Sequence, residues 1–183
     1  MKRFLGFSLA LCLLAAPAAP AGATPYPPSF RVQHRITLTV LGRQVDFTGY
    51  LLVGPSGAWR AMAFSEFGVG LFDILALPGK APRVLKNVAG IPNAYLTKWA
   101  ADVIEILFLP PPSGEQGLAQ AQPQVTRNGV VYDVAYSDYA AFPPAPQKIP
   151  RHIVLENKKI GFKLEADLLK FEPMEIPGGY FHE

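Results

Sequence analysis

Between residues 30 and 40, apolar and polar side chains alternate without a break. Phe30, Val32, His34, Ile36, Leu38 and Val40 are interleaved with Arg31, Gln33, Arg35, Thr37 and Thr39. Only a strand with one wet face puts every second residue on the same side over such a length, so this segment commits the chain to β structure. Gly42-Arg43 reads as a two-residue turn with glycine first, the II′ pattern that suits antiparallel strands. The return strand, 44–53, carries Val45, Phe47, Leu51 and Val53 on one face.

Pro55-Ser56-Gly57 turns the chain into a strand over 58–64, Gly68 into one over 69–77, and Pro78-Gly79-Lys80 into a short one over 83–88. Tight turns between successive strands predict an antiparallel meander. The period then changes. Across 92–108, Leu96, Trp99, Ala100, Val103, Ile106 and Leu107 recur at helical spacing. Tyr95, Lys98, Asp102 and Glu105 form the wetter stripe, with Lys98 and Asp102 four apart. Pro92 suits the first turn and Pro110-Pro111-Pro112 forbids continuation, which predicts one main helix. Residues 113–124 read as a low-complexity loop. Asn128-Gly129 is a type I′ hairpin signal joining strands over 123–127 and 130–136. A proline-rich loop, 142–150, precedes strands over 151–156 and 160–171, joined near Asn157-Lys158-Lys159. Residues 172–183 read as a loosely held tail.

The first 23 residues have the layout of a secretory signal peptide: Lys2 and Arg3, a short apolar run, then Ala21-Gly22-Ala23 as a small-x-small cleavage site. The apolar run is shorter than the roughly 20 residues of a spanning helix, and Pro17 and Pro20 prevent its extension. The single cysteine, Cys12, lies inside that run behind the bulky Leu11, where a lipidation site wants a small residue. The expected mature protein is therefore a periplasmic chain without a thiol: a lead-in over 24–29, one domain over 30–171, and the tail. Of the formal charge of +3, Lys2 and Arg3 supply two units. The remainder has no clustered basic patch, which argues against a nucleic-acid partner.

No reaction is written in the chain. It holds no HExxH, CxxC, GxSxG or Walker-type loop. Gly54-Pro55-Ser56-Gly57 leads into a strand, whereas a nucleophile elbow leads into a helix. Of the histidines His34, His152 and His182, the first sits on the apolar face of a strand, as a core imidazole does. Asp73, beside apolar strand neighbours, reads as a strand-end or solvent-facing carboxylate. With no nucleophile–base or metal constellation, the chain reads as non-catalytic, with no cofactor and no metal.

Half of the residues are apolar and 12 are Phe. A curved sheet with one helix must cover its concave face, either by filling it or by enclosing an apolar cavity under the helix. Three stretches bear on this choice: Phe47-Thr48-Gly49-Tyr50-Leu51-Leu52-Val53, Trp59-Arg60-Ala61-Met62-Ala63-Phe64, and Gly68-Val69-Gly70-Leu71-Phe72-Asp73-Ile74. With the helix and Arg151-His152-Ile153-Val154-Leu155-Glu156-Asn157 after them, the segment 30–171 resembles the bacterial LolA/LolB-like lipoprotein-carrier superfamily, in particular its uncharacterised lipoprotein-type relatives.

That resemblance implies an open, unclosed antiparallel β-barrel capped by an α-helix. It also implies a non-catalytic periplasmic carrier whose apolar cavity holds an acyl chain, a lipid or a lipidated partner, with peripheral membrane contact compatible. Strand alternation and helix period select the candidate lining: Phe47, Met62, Phe64, Leu71, Trp99, Val103, Phe162 and Leu164. Two departures stand out. The Leu-rich exposed loop of the receptor-type members is here a tight turn near Ser65–Val69 with Phe67 its one large apolar residue, and the family's N-terminal helix is replaced by residues 24–29. The alternative reading is a structural or assembly accessory of the envelope that has a filled core and acts through protein contacts.

Overall fold

The computed structural model describes residues 27–40, 42–108, 124–143 and 148–181. The segment read as a signal peptide, nearly all of the low-complexity loop, part of the second proline-rich loop and His182 lie outside the described residues.

Strands β1 (Phe30–Val40), β2 (Arg43–Val53), β3 (Trp59–Phe64), β4 (Gly70–Ala76) and β5 (Arg83–Asn87) form the first meander. Strands β6 (Gln124–Arg127), β7 (Val130–Ala141), β8 (Lys148–Asn157) and β9 (Phe162–Pro173) form the second. Between them runs helix α1, residues 93–107: an α turn Asn93–Tyr95, a π-helical segment Leu96–Ala100 and an α segment Ala101–Leu107. All the strands join one sheet in the order β5-β4-β3-β2-β1-β9-β8-β7-β6. β1 pairs antiparallel with β9, so the two meanders are fused at the centre. β5 and β6 are the free edges. The fold is mostly β, an unclosed sheet with one main helix, as the sequence predicts.

Turn chemistry explains most of the register. Asn128 and Gly129 both take positive φ, 51° and 75°, as a type I′ turn requires. Asn157 Oδ1 accepts from the backbone N–H groups of Lys159 and Ile160, and Gly161 closes that turn at φ 62°. The first turn differs from its prediction. Val40 pairs with Arg43, so Arg43 already belongs to the return strand, and Gly42, at φ 76°, ends the turn rather than opening it.

Bulges decide what strict alternation misses. In β9 the register shifts at Leu169, which is exposed, and this lets both Leu168 and Phe171 stay buried. In β4, Ala63 faces Phe72 while Phe64 faces Gly70, so Leu71 drops out of the ladder.

Two predicted surfaces are corrected by packing. Asp102, read as part of the wet stripe of the helix, is only 3 % exposed, and Glu105 is half-buried, because the β6–β7 hairpin lies over that stripe. Tyr95 and Lys98 remain exposed. The tail is also pinned. Ile176 is buried with its N–H donating to Ser29 Oγ at 3.2 Å, and the Arg60 guanidinium donates to the Tyr180 carbonyl at 3.1 Å. A Cβ at Gly54 would meet the ring of Phe181 at 2.8 Å, so glycine is what lets that ring lie against the backbone.

Candidate ligand cavity

A cavity of about 640 Å³ lies between α1 and the concave face of β1, β2, β3 and β9. The π-helical segment forms part of its wall through Leu96, Trp99 and Ala100. Such wide turns recur at functional sites. Size and lining suit a small apolar ligand.

Six of the eight candidates border this space: Phe47, Met62, Trp99, Val103, Phe162 and Leu164. Aromatic contacts tie several of them into one wall. Trp99 meets Phe162 edge-on at 5.9 Å, and Phe47 meets Phe72 in the same way at 5.9 Å. Met62 reaches the cavity beside its ladder partner Tyr50, although both belong to the alternate set of side chains from Leu51 and Ala61.

Phe64 and Leu71 do not line the cavity. The inward set of β3 is Trp59, Ala61 and Ala63, all buried, so Phe64 falls on the outer set, where its ring stands perpendicular to Tyr50 at 5.5 Å. Leu71 is the bulged residue of β4, and its place on the wall is taken by Phe72. Sequence reasoning missed Phe72 for want of the bulge, and missed Gly49, Ala61, Ala100 and Ala166 because it sought bulky side chains. The three alanines leave room on the wall, whereas the missing Cβ of Gly49 makes way for the side chain of Ile36. At Gly49 even a Cβ would lie 2.6 Å from Ile36 Cδ1.

The electrostatics of the wall are sparse. Among the lining residues only His34 and Arg43 carry a cationic group, and none is acidic. His34 is 4 % exposed and its ring lies 5.4 Å from that of Phe108. Burial lowers its pKa to about 4, an effect that nearby Asp167 only partly opposes, so at neutral pH the imidazole is uncharged. Arg43 sits at the other end, beside half-exposed Val45.

The remaining polar candidates lie elsewhere. Asp73 accepts from Arg60 Nε at 2.9 Å and pairs with its Nη2 at 2.6 Å, a structural role on the outer face. His152 Nδ1 lies 2.7 Å from Asp167 Oδ1, solvent-facing and away from the cavity lining. Among the described residues no helix is long and apolar enough to cross a membrane.

Fold and cavity together define an open antiparallel sheet that encloses an apolar pocket under one helix. The solved structures to which the chain is similar include a LolA superfamily protein from Nitrosomonas europaea, at TM-score 0.47 and 12% identity over 86% of this chain and 92% of that one. A domain named for outer-membrane lipoprotein sorting from Vibrio parahaemolyticus gives a TM-score of 0.40 at 7% identity, over 84% and 89%. A DUF1329 family protein from Desulfovibrio piger gives 0.41 at 8%, over 85% and 90%. No family model and no curated protein matches the chain.

Proposed function

We propose that this protein is a non-catalytic periplasmic carrier that holds an acyl chain, a lipid or the lipid moiety of a partner in the cavity under α1. The observation that carries the reading is the cavity itself: about 640 Å³ walled by Phe47, Trp99, Val103, Phe162 and other apolar side chains, with no acidic group on its wall. A core closed for stability alone would be filled, because voids larger than a water molecule are few and destabilising. Here Ala61, Ala100 and Ala166 stand where larger residues would close it. The signal-peptide layout of residues 1–23 supports export to a compartment where lipids move between membranes.

Native mass spectrometry of the exported protein tests the proposal. A co-purified lipid, or uptake of a fatty acid added at micromolar concentration, is the expected result. An empty protein that takes up no acyl ligand would replace the carrier with an accessory that works through protein contacts.

A further inference from the structure

The cavity has a direction. Its lining follows β1 from Val40 through Leu38 and Ile36 to His34, and β2 from Arg43 through Val45 and Phe47 to Gly49. Six residue steps at the rise of a strand make this run about 20 Å long, the length of an extended long acyl chain. At the far end His34 is held neutral by burial. At the near end Arg43 belongs to the same alternating set as Val45 and Phe47, while Gln44 and Asp46 fall on the opposite set and bond to each other and to Thr37. Among the described residues no carboxylate lies within ion-pair distance of Arg43. A lone cation at the mouth of an otherwise uncharged apolar slot is complementary to one arrangement of ligand: an apolar body inside and a negative charge at the rim.

Capacity narrows the choice further. With water-sized groups taking roughly 30 Å³ each, a space of this size holds about twenty of them, the bulk of one long chain. We propose that the ligand is a single-chain anionic amphiphile, its head on the Arg43 guanidinium and its tail running along β1 toward His34. The proposal rests on the carrier reading and narrows its ligand class.

Trp99 lines the cavity and supplies an intrinsic probe, with buried Trp59 as a constant background. The full chain is titrated, below their micellar concentrations, with palmitate, hexadecanol and hexadecyltrimethylammonium. The expected order is palmitate at least tenfold tighter than hexadecanol, with the cationic amphiphile weakest. Arg43→Gln should bring palmitate to the level of hexadecanol, and Arg43→Glu should favour the cationic amphiphile over palmitate. Arg43 is exposed, so both variants fold. Equal affinities in the unmodified chain, or a palmitate preference that survives Arg43→Gln, overturns the assignment of the head group and leaves the carrier standing. A Trp99 signal that answers to none of the three overturns the carrier itself.

Discussion

The side-chain amide of Asn128 donates to a carboxylate oxygen of Asp102 at 2.8 Å. The residue that turns the β6–β7 hairpin thus also anchors the helix. Asp102 Oδ2 is buried without a hydrogen-bond partner, and Arg127 stands 4.0 Å from the other oxygen while pairing with Glu105. Burial raises the Asp102 pKa above the usual carboxylate value, and the Asn128 hydrogen bond is the first influence holding it down.

Asn128→Gly keeps the positive φ of the turn and removes only the amide. It should destabilise the protein by about 1–3 kcal/mol at pH 7, the effect of leaving a buried acceptor unmet. A raised carboxylate pKa means the folded state binds the proton more readily than the unfolded one, so the penalty is present above the folded pKa and relieved as pH falls through it. Urea unfolding at pH 7 and at pH 4 checks this. A loss that does not shrink on acidification would show that Asp102 is not the group affected.

His34 titrates in the other sense. Its folded pKa, about 4, lies below the ordinary 6.5 of the unfolded chain. Between those values the unfolded state binds more protons, so stability falls as pH drops from 6.5 to 4 and levels off below. The effect amounts to about 3 kcal/mol. His34→Gln should remove this part of the acid sensitivity. Parallel unfolding curves for the two proteins between pH 7 and pH 4 would mean that the imidazole is not held neutral.

Ala61→Leu should separate binding from folding. The added methyl groups enter the cavity space, so thermal stability should hold or rise while uptake of a fatty acid drops at least tenfold. A marked fall in melting temperature would mean the space around Ala61 is already filled, since overpacking costs about 1–3 kcal/mol.

The two stripes of the helix should respond unequally. Val103→Asp places an unpaired charge on the cavity wall and should cost several kcal/mol and abolish ligand uptake. Glu105→Lys, judged from sequence alone, changes an exposed charge. In the structure it sets a lysine against Arg127, so about 1 kcal/mol is expected. Equal thermal shifts for both variants would contradict the assignment of the faces.

Much of this was legible in the sequence because local rules governed it. Asn128-Gly129 forced the type I′ hairpin, the alternation of 30–40 marked β1 to the residue, and the apolar period of 92–108 marked the helix within a residue or two. What escaped depended on partners far along the chain. Leu71 and Leu169 look like ordinary members of an alternating strand, and only their pairing reveals them as bulges. Asp102 looks like surface until a hairpin 26 residues on covers it. The cavity lining was half-legible for a related reason: Phe47, Trp99 and Phe162 announce themselves by bulk, whereas a space is created by Ala61 and Ala166, which announce nothing.

The pairing of β1 with β9 sets the order in which the molecule can form. Phe30 lies opposite Pro173, so the central seam of the sheet joins the first described strand to the last. Each meander can fold locally through short hairpins, but neither is complete until the other arrives, because β1 and β9 are each other's missing neighbour. Long-range closures of this kind are slow. Until β9 docks, β1 and β8 each keep one inner edge unpaired, and the wall of the cavity that Phe162, Leu164 and Ala166 supply is missing, so the binding space exists only once the seam has closed.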